Sequence, residues 1–109
     1  MSEMTLREVC DASGVTRRAV QGYERAGLVA ATRRNGRGYL LYDEQAQEQI
    51  KRIKLFQEMG FTIKEIIELN TAPRHVLKQA LEVRVEKLRK EYGRVNDMIC
   101  VALEMIERL

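Results

Sequence analysis

Aromatic, cysteine and histidine residues are scarce in this chain: among 109 residues there is no tryptophan, and there are two phenylalanines, two cysteines and a single histidine. With so few large rings, the 45% apolar fraction must pack as an aliphatic core. Cys10 and Cys100 lie far apart, without a CxxC pair or a neighbouring His, and His75 stands alone. That spacing excludes a zinc site of the usual kind. Both cysteines fall at apolar positions of helical patterns, which reads as packing in preference to redox or metal chemistry. No apolar run approaches the roughly 18 residues that cross a bilayer, and no secretory signal opens the sequence. A cytoplasmic protein with no membrane association is expected. Paired catalytic carboxylates, a nucleophile beside a base and a phosphate-cradling glycine loop are also missing, so an enzyme is excluded and no cofactor is implied.

Charge is what the chain has, and it is unevenly placed. Residues 16–42 hold Arg17, Arg18, Arg25, Arg33, Arg34 and Arg37 against Glu24 alone, a local balance of +5 in a protein whose net charge is +3. The excess is entirely arginine, whose planar fork matches phosphate and whose clustering is favoured by counterion release. Nucleic acid is the partner this patch fits.

The length allows one compact domain with an appendage. Thr5 and Glu8 form a capping box, with Met4 and Val9 at the staple positions. A helix from about Thr5 to Ser13, burying Leu6, Val9 and Cys10, should end at Gly14. Thr16 caps a second helix that turns Val20 and Tyr23 inward and ends at Gly27. Two short helices joined by Ser13-Gly14-Val15 make a helix-turn-helix, whose second helix enters the major groove. Val29–Thr32 and Tyr39–Tyr42 then read as a β-hairpin, its tip carrying Arg33, Arg34 and Arg37: a wing placed to touch backbone phosphates. Asp43 caps a third helix through Ala46, Ile50, Ile53, Phe56 and Met59. Thr62 and Glu65 open a fourth through Ile63, Ile67 and Leu69, stapled by Phe61 and Ile66.

Beyond Pro73, residues Leu81, Val85, Leu88, Tyr92, Val95, Ile99, Ala102, Ile106 and Leu109 alternate spacings of four and three, the seam of a coiled coil. A helix of roughly 34 residues and about 50 Å needs a partner, of which a second copy is the simplest. The fold class expected is mainly α, with a winged helix-turn-helix over residues 1–72 and an antiparallel coiled-coil dimerisation helix over 73–109.

In this order the motifs resemble the MerR family of bacterial transcription regulators. The likeness is carried by Met4-Thr5-Leu6-Arg7-Glu8-Val9, Ser13-Gly14-Val15-Thr16-Arg17-Arg18, Tyr23-Glu24-Arg25-Ala26-Gly27-Leu28, Gly38-Tyr39-Leu40-Leu41-Tyr42 and Met59-Gly60-Phe61-Thr62-Ile63-Lys64-Glu65-Ile66. The resemblance implies a homodimer on a pseudo-palindromic promoter operator in double-stranded DNA, which many members activate for RNA polymerase by twisting and bending it. Carried over position by position, Thr16, Arg17, Arg18 and Gln21 approach the groove and its phosphates, Tyr39 acts from the wing, and Tyr23 either donates to phosphate or braces its helix. Gln21, Gly22 and Leu40 stand where the family usually has arginine, tyrosine and arginine. Gly22 fits either a close approach to DNA or a helix released from binding it. The alternative is therefore a protein-interaction module on the same scaffold, of the chaperone-modulating kind. No thiols occupy the sensing positions, so the effector stays open: the sequence fits a truncated form without its sensor domain, or a minimal regulator.

Overall fold

The computed structural model describes residues 3–109. Thr5 serves two elements at once. Its backbone closes strand β1 (Met4–Thr5), and its hydroxyl caps helix α1 (Leu6–Ser13), accepting the Glu8 amide at 3.3 Å while the Glu8 carboxylate accepts the Thr5 amide at 2.9 Å. Val9 is the residue of α1 that is fully buried; Leu6 and Cys10 are half-buried. Gly14 ends the helix at φ +66°, a left-handed conformation that only glycine adopts without strain. The Lys54 ammonium donates to the Ser13 carbonyl at 3.1 Å, so a cation sits at the negative end of α1. Thr16 then caps helix α2 (Arg17–Arg25), accepting the Ala19 amide at 3.0 Å, and α2 buries Val20 and Tyr23 as expected.

The wing departs from the expected hairpin. Strand β2 is Arg33–Arg34 and strand β3 is Leu40–Tyr42, and β3 lies in the centre of a three-stranded antiparallel sheet in the order β1-β3-β2. Met4 faces Tyr42, Thr5 and Arg33 both face Leu41, and Arg34 faces Leu40. The predicted strand over Val29–Thr32 is thus corrected: only the Thr32 amide joins the ladder, donating to Leu41 O at 2.7 Å. Residues 29–31 have nothing to pair with, because β3 gives way at Asp43 to helix α3 (Glu44–Met59), and the Asp43 amide turns to the Thr32 hydroxyl at 3.0 Å. Arg33 and Arg34 therefore belong to a strand, and the tip proper is Asn35–Tyr39. Asn35 organises it by accepting the amides of Arg37 and Tyr39 at 2.9 and 3.0 Å through its side chain.

Asp43 caps α3 by accepting the Ala46 amide at 2.9 Å, and Gly60 closes it at φ +107°. Ala46, Ile50, Ile53 and Phe56 are buried along it, joined by Gln47, whose side-chain amide donates to the Tyr42 carbonyl at 2.9 Å. Helix α4 (Ile63–Asn70) has the predicted Thr62–Glu65 capping box, but its buried residue is Ile66; Ile67, expected inside, is exposed. The staple sets this rotation, since Phe61 is itself buried and packs on Phe56 at 5.4 Å between ring centroids. Tyr42, Ile50, Ile53, Val9 and Val20 are the largest fully buried side chains, drawn from α1, α2, β3 and α3.

The chain forms two compact units, the first ending at Thr71 and the second comprising Ala72–Leu109. The second is one helix, α5 (Arg74–Glu107), of 34 residues with none buried. Among the described residues no helix is long and apolar enough to cross a membrane.

Candidate nucleic-acid interface

Helix α2 is held from behind by two buried tyrosines. The Tyr23 hydroxyl donates to Gln57 Oε1 of α3 at 2.7 Å, and the Tyr42 hydroxyl of β3 donates to Glu24 Oε1 at 2.6 Å. Burial raises the pKa of both phenols, and for Tyr42 the neighbouring Glu24 carboxylate raises it further. Both therefore stay protonated donors over the ordinary pH range. The Tyr23 hydroxyl hydrogen is engaged in a part-buried bond to the exposed Gln57 side chain, the arrangement of the bracing role.

With its back fixed to α3 and to the wing, α2 turns Thr16, Arg17, Arg18 and Gln21 to solvent. Gly22 lies on this helix with open space around it: a methyl group added there meets only the tip of Arg25, at 3.9 Å. Packing inside the protein does not require glycine at that position.

The wing arginines diverge. Successive strand residues project to opposite faces, and Arg33 turns to Glu3, with Nε at 3.1 Å from one carboxylate oxygen and Nη2 at 2.6 Å from the other. Its charge is paired with that carboxylate in the single chain, unlike those of Arg34 and Arg37, with which sequence reading grouped it. Arg34 donates through Nη1 to the Gly38 carbonyl at 2.6 Å, and its other N–H groups and its charge have no partner among the described residues. Arg37 sits exposed at the tip, with no side-chain partner among the described residues.

Between α2 and the wing lies an open groove of about 460 Å³, lined by Thr5, Leu6, Arg7, Arg17, Arg34, Gly38, Tyr39 and Leu40. The first turns of α1 and α2 border it, and helix N-termini favour anions. Tyr39, 60% exposed, stands beside Arg34 at its edge. Sequence reading placed Arg17, Arg34 and Tyr39 among the site residues but missed Arg7. That arginine precedes the basic segment and is surrounded in the chain by Glu3, Glu8 and Asp11, so its charge seemed cancelled. Glu3 and Glu8 are instead engaged by Arg33 and by Thr5.

Neither cysteine takes part. Burial pushes the Cys10 thiol pKa up, with Arg17 acting against that rise and Asp11 reinforcing it, so the group is a protonated thiol near neutrality. Cys100 is exposed on α5. Among the described residues no group of His, Cys, Asp and Glu could hold a metal ion. The seam positions Leu81, Val85, Leu88, Tyr92, Val95, Ile99, Ala102 and Ile106 all lie on α5, and Leu109 lies just past its end. Apart from half-buried Leu81, their side chains are open to solvent in the single chain, Tyr92 by 74% and Ile106 by 64%.

Comparison with known proteins agrees with this arrangement. Residues 4–72 match the family model described as MerR HTH family regulatory protein. The nodulation protein NolA of Bradyrhizobium elkanii is 35% identical over 94% of this chain and 43% of its own. The chain spans between 34% and 43% of the length of three such NolA relatives. Among solved structures, the N-terminus of MtaN, the Bacillus subtilis multidrug transporter activator, is similar with a TM-score of 0.69 and 29% identity, covering 94% of this chain and 97% of that one. HiNmlR, a regulator lacking its sensor domain and solved bound to promoter DNA, shares the fold at a TM-score of 0.72 and 12% identity, covering 90% of this chain and 79% of that one.

Proposed function

This chain belongs to the MerR helix-turn-helix family of regulatory proteins, and from that premise we propose that it binds duplex DNA as a homodimer and regulates transcription from the bound promoter. The observation that carries the reading is the exposed face of α2, with Arg17, Arg18 and Gln21 free to enter a major groove while Tyr23 and Tyr42 hold the helix from behind. Arg34, Arg37 and Tyr39 of the wing extend that face toward the flanking phosphates. HiNmlR, which has this fold, was solved bound to promoter DNA, which supports DNA as the partner.

The work divides at the boundary expected from sequence: residues 1–72 contact DNA and 73–109 join two copies. The seam on α5 is apolar, long and uncovered, and an antiparallel pair of such helices presents two recognition helices with two-fold symmetry. The operator is accordingly pseudo-palindromic, and regulation proceeds by distorting the promoter for RNA polymerase, in a cytoplasmic setting.

Titration against the promoter regions of its own gene and of neighbouring genes, at several salt concentrations, tests the proposal. A site bound roughly a thousandfold more tightly than random duplex is expected. Absence of such a site would overturn the regulator reading in favour of a protein-interaction module, the role to which Gln21, Gly22 and Leu40 are also suited. Sedimentation should show a dimer at micromolar concentration, and a monomer there contradicts the pairing of α5.

A further inference from the structure

We infer that the groove between the first turn of α1, the start of α2 and the wing is a phosphodiester-binding site, and that Arg7 of α1 is one of its cationic ligands. The inference rests on the DNA-binding reading and extends the contact surface from α2 and the wing to α1, the first helix of the helix-turn-helix.

Three guanidinium groups from three elements line one opening: Arg7, Arg17 and Arg34. Among the described residues no acidic side chain lines it. Of the three acidic residues near Arg7 in sequence, Glu8 is engaged by the Thr5 amide at 2.9 Å and Glu3 by Arg33 at 2.6 Å, and Asp11 is not among the residues lining the opening. Three like charges around one opening repel one another and gain only when an anion enters. Leu6, Leu40 and Tyr39 supply apolar and aromatic lining. Guanidinium donors around apolar lining suit a phosphate carrying organic substituents, which distinguishes a sugar-phosphate backbone from a free, fully hydrated anion. Arg7 is exposed on the first turn of α1, so its removal spares the core.

The test is binding of wild-type protein, Arg7→Ala and Arg7→Lys to a fluorescent duplex across a salt series. Arg7→Ala is expected to weaken binding roughly tenfold at low salt and to reduce the slope of log affinity against log salt by about 0.9. Arg7→Lys should restore the slope. Thermal melting confirms that the variants fold, and Arg7→Glu, with a larger loss than Arg7→Ala, provides a second check. An unchanged slope in Arg7→Ala, with Arg17→Ala impaired, overturns the role of Arg7 alone. Failure of the wild-type protein to bind any duplex overturns the DNA reading with it. Competition by inorganic phosphate at matched ionic strength separates the two anion sources: no effect beyond that of chloride is expected, and displacement of DNA by millimolar phosphate would identify a free-anion site instead.

Discussion

Replacing Tyr42 with phenylalanine isolates the bond that ties the wing to the recognition helix. The ring is fully buried and phenylalanine fills the same space, so apolar packing is retained and the loss is confined to the hydroxyl donating to Glu24 at 2.6 Å. Hydrogen bonds to charged groups contribute about 1.5–3 kcal/mol. Glu24 is only half-buried and recovers some hydration when its partner is gone, which places the cost near 2 kcal/mol. For a domain of this size that corresponds to a fall of roughly 10 °C in Tm, measured by circular dichroism at fixed protein concentration because dimerisation contributes to apparent stability. The pH dependence carries its own sign. A phenol whose pKa is raised in the folded state contributes its full stability below the ordinary value of 10.0 and loses it as pH rises above that. The native chain should therefore lose stability above pH 10, and Tyr42→Phe should lose less over the same range. Glu24→Gln should cost less on top of Tyr42→Phe than it does alone. A Tyr42→Phe protein within about 0.5 kcal/mol of wild type, with an unchanged alkaline limb, would refute the argument that this bond couples wing and helix.

Two further outcomes follow from the α2 surface and the wing. Gly22→Ala should stabilise the protein by about 0.5–1 kcal/mol, because nothing in the fold excludes the methyl group. If Gly22 serves a close approach to DNA, the same variant binds its operator more weakly despite its greater stability, whereas equal or tighter binding removes that role. Arg33→Ala should change the salt slope of DNA binding by less than half as much as Arg37→Ala, since Glu3 already balances Arg33. Equal changes in a salt-series binding assay would show that DNA displaces the Glu3 carboxylate.

What could be read directly from sequence was whatever depends on neighbours within one turn. The Thr5–Glu8 and Thr62–Glu65 boxes follow from the need of exposed helix amides for acceptors, and Gly14 and Gly60 mark the places where the backbone turns left-handed. The family follows from the order of those local signals. Strand β1 was not legible: two residues are too few for an alternating pattern, and Thr5 announces a helix cap more strongly than a strand. Its pairing with β3, and with it the fate of Glu3 and Arg33, depends on partners about thirty or more positions away. Gln57 and Lys54 were invisible for the same reason, and Gln47, though only five positions from its partner, because that partner is a backbone carbonyl that no side-chain pattern announces. Their partners are a phenol on α2, a carbonyl at the end of α1 and a strand carbonyl, none recognisable until the helices are packed. Ile67 was misplaced because positions three and four residues along a helix are equally good guesses until the Phe61 staple fixes the rotation. In the site, Arg7 was hidden by summing charge along the chain instead of in space.

The pairing of Met4 with Tyr42 also has a practical side. Glu3 directly precedes β1, at the sheet edge opposite β2, and its carboxylate pairs with the Arg33 guanidinium of the wing. A purification tag or fluorescent protein fused there would crowd the wing and compete for its charge, and an apparent failure to bind DNA could belong to the fusion alone. Labels for binding measurements belong instead on the far side of Leu109, provided the helix seam can still find its partner.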